Sequence, residues 1–147
     1  DTAKVFISEF YDNKYIFVID KDELTVYQKE DLTQIYNAQI GFTPTEVKIG
    51  FAGDFVSMNS GSDFATLDME SMKLSNWSTA SEHYGWLDGY MLYSVKDGAL
   101  FVYDFDGLNT RQLASNASDH FPVTITADRW LYYFSDEKLV REWLIAK

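Results

Sequence analysis

The chain has no cysteine, which removes disulfides, thiolate metal sites and cysteine nucleophiles from consideration. That absence leaves the compartment open, because cytosolic and bacterial envelope proteins alike can lack the residue. No run of about 18 apolar residues occurs, so no segment reads as a membrane-spanning helix. Cations are scarce: 12 Lys and Arg stand against 23 Asp and Glu, for a net charge of −11. Such a field repels a phosphate backbone and an anionic membrane surface, so no nucleic acid is expected as a partner. Attraction for cations or for a basic protein is the functional counterpart of what is otherwise a solvated acidic surface. There is no Gly-x-Ser-x-Gly elbow to present a hydrolase nucleophile. The first residue is Asp1 and no signal-like apolar stretch follows, which reads as a matured or trimmed chain.

What is abundant is aromatic. Phe, Trp and Tyr make up 17% of 147 residues, within a hydrophobic fraction of 46%. Aromatic side chains fit a pleated, half-buried surface, and this moves the expectation toward β structure.

Self-comparison carries the main signal. The stretch from Asp12 to Tyr27 aligns without a gap on the stretch from Asp88 to Tyr103, an offset of 76 (88 − 12). Asp12, Leu24, Val26 and Tyr27 fall on Asp88, Leu100, Val102 and Tyr103. The offset is two periods of 38, and a weaker copy lies between, over Gly53–Gly61 and Asp63–Asp68. A fourth copy begins at Asp128-Arg-Trp-Leu-Tyr-Tyr-Phe. The last two units also share a leading motif, Ser81-Glu-His-Tyr84 and Ser118-Asp-His-Phe121, 37 residues apart (118 − 81).

Each unit reads as short strands separated by turns. Tyr15–Ile19, Met91–Val95 and Leu131–Phe134 are β-branched and aromatic runs too short for helices. Turns such as Lys96-Asp97-Gly98 lead into a second run, Leu24–Tyr27, Leu100–Tyr103 and Leu139–Val140. A strand is expected before each hairpin (Val5–Phe10, Val47–Phe51, Tyr84–Leu87, Val123–Thr126) and after three of them (Gln34–Asn37, Leu74–Trp77, Arg111–Ala114). Pro44 and Pro122 fall at the start of first strands, where a missing N–H costs least. The apolar spacing of Leu139–Leu144 would also suit a short helix, and repeat position favours strand.

Four antiparallel strands at this period describe a propeller blade. The sequence therefore predicts an all-β fold, a β-propeller or partial propeller of about four units, near residues 4–40, 41–79, 81–116 and 118–147, in a single propeller-like domain. The last unit lacks its outer strand, and an unpaired edge invites pairing. Either the amino-terminal segment closes the ring, a partner chain supplies the edge, or the chain is part of a larger propeller. An incomplete or assembling ring, such as a homodimer of two half-rings, is the favoured expectation.

The stretch Leu100-Phe-Val-Tyr-Asp-Phe-Asp-Gly-Leu-Asn-Thr-Arg-Gln-Leu113 resembles the repeat of TolB-like bacterial propellers, in which a strand passes through an Asp-x-Asp-Gly-x-Asn turn to an Arg-x-Leu outer strand. Trp86–Tyr93 looks like the hairpin before such a turn, and Phe121-Pro122 like the start of the next unit. The resemblance covers roughly residues 83–135. Unit two departs from it with Asp68-Met-Glu-Ser71 and unit one with Lys29-Glu-Asp31. It implies an extracytoplasmic protein of a bacterial cell envelope, such as the propeller region of a PEGA-domain protein. No catalytic residue travels with the motif.

The candidate binding residues are His83, Trp86, His120 and Trp130. His83 and His120 hold matching places in the shared motif, which suits a repeated structural residue more than a metal or acid–base pair. Asp104, Asp106 and Asn109 look like part of a calcium loop, yet the bidentate Glu that would complete it is missing, and a local turn explains them more simply. Surface aromatics on propeller loops are the better basis for binding. The sequence thus points to a non-catalytic binding or scaffolding module with a protein partner and no cofactor. The alternative is a propeller enzyme or metal-binding module built on His83, His120 and nearby carboxylates.

Overall fold

A computed structural model describes residues 3–78 and 83–144. All regular structure among the described residues is β, arranged as four antiparallel sheets with consecutive strands adjacent. Sheet 1 holds β1 (Lys4–Phe10), β2 (Asn13–Asp20), β3 (Glu23–Gln28) and β4 (Gln34–Gln39). Sheet 2 holds β5 (Glu46–Ile49), β6 (Phe55–Ser60), β7 (Asp63–Asp68) and β8 (Lys73–Ser78). Sheet 3 holds β9 (His83–Trp86), β10 (Met91–Lys96), β11 (Ala99–Asp104) and β12 (Arg111–Ala114). Sheet 4 has three strands, β13 (Thr124–Ile125), β14 (Trp130–Ser135) and β15 (Lys138–Trp143). The chain divides into two compact units, residues 1–78 with sheets 1 and 2 and residues 79–147 with sheets 3 and 4.

The repeat is set by the central hairpins. Their last paired residues are Asp20↔Glu23, Ser60↔Asp63, Lys96↔Ala99 and Ser135↔Lys138. Successive spacings are 40, 36 and 39 residues (60 − 20, 96 − 60, 135 − 96), so the 76-residue offset is the sum of two unequal steps. Every one of these hairpins closes with two residues, a length that demands positive φ because only then does the turn follow the right-handed strand twist. Asp97 and Gly98 supply it at 50° and 79°, and Asp136 and Glu137 at 46° and 61°. The second pair does so without glycine, at a cost of about 1 kcal/mol or more for each residue.

Alternation gives each sheet two faces. In sheet 1 the front face carries Tyr15, Phe17, Ile19, Leu24 and Val26, where Phe17 pairs with Val26 and Ile19 with Leu24. The back face carries Ile16, Val18, Thr25 and Tyr27 from β2 and β3, with Val5 and Ile7 opposite Val18 and Ile16 on β1. In sheet 2 the residues matching that back face are Val56, Met58, Ala65 and Leu67 (16 + 40, 18 + 40, 25 + 40, 27 + 40). The core of the first unit is this front face packed with the back face of sheet 2, extended by Ile40 and Met69. The second unit repeats the scheme, with Val95, Leu100 and Val102 from the front of sheet 3 and Leu131 and Tyr133 from the back of sheet 4. Burying a side chain such as Phe17 or Leu24, both 0% exposed, contributes roughly 1.5–3 kcal/mol.

Other features follow locally. The loop before β6 closes against β1 at Gly53, φ +73°, where an added Cβ would lie 2.0 Å from the Glu9 carbonyl oxygen. Pro44 and Pro122 lie two residues before β5 and β13, outside the strands themselves. Lys138–Trp143 is a strand throughout, because alternation across β14 is satisfied along its whole length. β13 is shorter than the expected Val123–Thr126: the Thr126 N–H bonds to the Trp130 carbonyl at 2.9 Å and turns the chain there.

Candidate functional site

One loop cluster of the second unit gathers polar and aromatic side chains around an open cleft of about 630 Å³. It is lined by Gly98 and by Asp136 and Glu137, from the tips of two central hairpins, and by Asn116–Ser118, His120 and Phe121 of the crossover between sheets 3 and 4. Backbone bonds hold the crossover to the strands. The Ala117 N–H donates to the Gly98 carbonyl at 2.8 Å and the Ser118 N–H to the Phe134 carbonyl at 2.7 Å. The Ser118 hydroxyl accepts the His120 N–H at 3.3 Å, turning the chain so that the imidazole points outward. Phe121 stacks on Phe134 with centroids 4.4 Å apart and keeps 43% of its surface exposed. The His120 side chain is 84% exposed, with Nε2 3.6 Å from an Asp119 carboxylate oxygen. Two carboxylates, one imidazole and one aromatic face thus surround a shallow site suited to a cationic, partly apolar group.

His83 does not join this cleft. It is exposed at the first position of β9, opposite Val95. The equivalence expected between His83 and His120 does not hold. Trp86 and Gly85 face Leu92 and Tyr93, whereas Ile125 and Thr124 face Leu131 and Tyr132. The structural offset is therefore 39 (125 − 86), and the place of His83 is taken by Pro122. The 37-residue motif spacing slipped by two because the crossover is irregular there; Ser81 and Glu82 of that motif lie outside the described residues. Trp86 is 8% exposed, which leaves little of it for surface recognition.

Trp130 belongs to a second surface. On the front of sheet 4 it pairs with Trp143, their rings stacked at 5.7 Å, and the Arg141 guanidinium lies 4.3 Å above the Trp130 ring. Trp143 is 63% exposed and Leu139 61%. On the covered side of the same sheet, the Tyr133 hydroxyl donates to Glu142 at 3.0 Å. Burial and that carboxylate push the phenol up to about 12.

Asp104, Asp106 and Asn109 form a turn. Asp106 accepts the Leu108 N–H at 3.0 Å, and the Asn109 amide donates to Asp104. The units that depart from the Asp-x-Asp-Gly pattern make the same kind of turn: Asp31 accepts the Thr33 N–H and Asp68 the Glu70 N–H, each at 2.9 Å. The Thr33 N–H holds the Asp31 carboxyl below its ordinary value. Among the described residues no three His, Asp or Glu side chains converge as a metal site.

The residues that composition and repeat spacing did not single out are Phe121, Asp136 and Glu137 of the cleft and Leu139, Arg141 and Trp143 of the aromatic face. The first group is brought together by the crossover, which carries no sequence period. The second was legible as alternation, since positions 130, 132 and 134 and positions 139, 141 and 143 share one face.

Four successive antiparallel sheets of this order define a partial β-propeller. No family model matches the sequence, and no curated protein does. Among solved structures, the chain is similar to the beta-propeller domain of Myceliophteria thermophila Cps50 (Swd1), with TM-score 0.55 and 11% identity over 97% of this chain and 55% of that one. It is also similar to the dihydro-heme d1 dehydrogenase NirN, with TM-score 0.55 and 10% identity over 92% of this chain and 33% of that one. The N-terminal domain of Nup159 matches with TM-score 0.50 and 16% identity, over 88% of this chain and 40% of that one. The chain thus spans about half or less of the length of these structures. At such identities the likeness establishes the fold and nothing narrower.

Proposed function

We propose that this chain is a non-catalytic β-propeller module that binds a protein partner, at a bacterial cell envelope, through the crossover cleft of its second unit. The observation that carries the reading is the convergence of Asp136, Glu137, His120 and Phe121 at the rim of one cleft. Loop tips on a rigid β scaffold are where propellers and other β folds place recognition, and an acidic rim beside an exposed ring suits a lysine or arginine side chain with its alkyl stem. The net charge of −11 favours encounter with a basic partner. The envelope location rests on the TolB-like character of Leu100–Leu113. A second copy of the chain remains a partner of interest on account of the unpaired edge of sheet 4.

The test is calorimetric titration of the chain with a lysine-rich peptide and, separately, with a glutamate-rich peptide of equal length. The lysine-rich peptide should bind and the glutamate-rich one should not. Glu137→Gln and Phe121→Ala should each weaken binding several-fold. Equal affinity in both variants would remove the cleft from the reading.

A further inference from the structure

The first and last sheets differ in which face they leave open, and the two open faces match. Both cores of this chain are built the same way, a front face packed on the back face of the next sheet: Phe17, Leu24 and Val26 with Val56, Met58 and Leu67, then Leu100 and Val102 with Leu131 and Tyr133. Sheet 4 uses its back face in this way and leaves its front open. That front is Trp130, Tyr132, Phe134, Leu139, Arg141 and Trp143, with Trp143 and Leu139 more than half exposed. Sheet 1 uses its front face and leaves its back open, with Val5 64% and Ile7 55% exposed above the half-buried Ile16, Val18 and Tyr27.

We infer that the chain self-associates head to tail, the front of sheet 4 in one copy packing on the back of sheet 1 in a second copy. The contact continues an interface the chain already makes twice, so a copy of itself carries the face type that each open surface lacks. Charge agrees with this choice. Arg141 is the one ionised group on the front strand positions of sheet 4, while the back of sheet 1 carries Glu9, Asp20 and Glu23 against a single Lys14. Because the two faces are different, the contact is heterologous, and each copy offers one of each. This deepens the protein-binding reading by naming one partner and its surface, and it moves the contact from the unpaired strand edge to the sheet faces.

The test is sedimentation velocity over a wide concentration range on the chain and two surface variants. One carries Leu139→Glu with Trp143→Glu, the other Val5→Glu with Ile7→Glu; all four side chains are exposed, so the fold should survive, and far-ultraviolet circular dichroism checks it. The parent chain should associate, and each variant should lose at least about tenfold in association, since a charge would be buried at the contact. An equimolar mixture of the two variants should form a one-to-one complex, because each retains the face the other has lost. A parent chain that stays monomeric throughout overturns the proposal, as do variants that associate like the parent, the result expected of pairing at strand edges. Lysine-rich peptide titrated into the monomeric variants separates the two readings: binding there with no parent association sinks only the head-to-tail contact, and association with no peptide binding sinks only the cleft.

Discussion

Sheets 2 and 4 are made from the same repeat and end in opposite states. In the central hairpin of sheet 2, β6 and β7, both faces are buried: Phe55, Ser57, Asn59, Phe64 and Thr66 on one side and Val56, Met58, Ala65 and Leu67 on the other are all at 8% exposure or less. In sheet 4 the odd positions of β14 are buried, while on the other face Leu139, Arg141 and Trp143 of β15 lie exposed, with Trp143 stacked on the half-buried Trp130. The residue types run against simple expectation, because the hairpin buried on both faces is the one that carries Ser57, Asn59 and Thr66. Burial is decided by what packs on a face, and polar side chains are accepted where they find partners, as Ser57 does at the Lys48 carbonyl, 3.2 Å away.

The comparison can be broken most forcefully at its buried end. Phe64 is 0% exposed and stacked on Trp77 at 4.4 Å, so Phe64→Ala should cost about 3–5 kcal/mol in urea unfolding, while Leu139→Ala should change the isolated chain by less than about 0.5 kcal/mol. Equal costs at the two positions would mean that the open face of sheet 4 is covered in solution. Next in size is Gly53→Ala, whose methyl would collide with the Glu9 carbonyl at a positive φ; a loss of at least about 2 kcal/mol is expected. A smaller loss would show that the loop before β6 can move away from β1.

Sheet 4 can instead be strengthened. Replacing Asp136-Glu137 by Asn-Gly at the same left-handed turn should stabilise the chain by about 1 kcal/mol, measured as a higher urea midpoint with an unchanged slope. No gain would mean that the two residues hold their conformation through contacts worth as much as glycine offers.

The smallest effect is visible only in alkali. Tyr133 ionises near 10.0 when unfolded and is pushed up to about 12 in the fold. The unfolded chain therefore releases its proton first, so the stability linked to this phenol is full below pH 10 and declines as pH rises toward 12. Glu142→Gln removes the negative charge beside the hydroxyl and should lower the tyrosinate midpoint read by ultraviolet absorbance, with no change at neutral pH. An unmoved midpoint would assign the shift to burial alone.

Much of this was legible from residues alone. The Asp12–Tyr27 and Asp88–Tyr103 alignment predicts two hairpins in the same register, and Asp20↔Glu23 and Lys96↔Ala99 have it, because strand alternation and two-residue turns are local properties. Arg111–Ala114 was placed to the residue. The histidine pairing failed for the complementary reason: a motif in an irregular crossover has no ladder to keep its count, and two extra residues there broke the match between His83 and His120. Trp86 and Trp130 show the same limit. Both are strand tryptophans in sequence, one 8% exposed and the other on an open aromatic face.

The sequence by itself determined the β class, the four-unit repeat, the hairpin registers and the strongly acidic charge, since each follows from period-two patterning, turn chemistry or composition. Tertiary structure alone decided that His120, Phe121, Asp136 and Glu137 meet around one cleft, and that the front of sheet 4 and the back of sheet 1 are the faces left open. Alternation states that a strand has two faces. Only the packing of one sheet on the next determines which of them is covered.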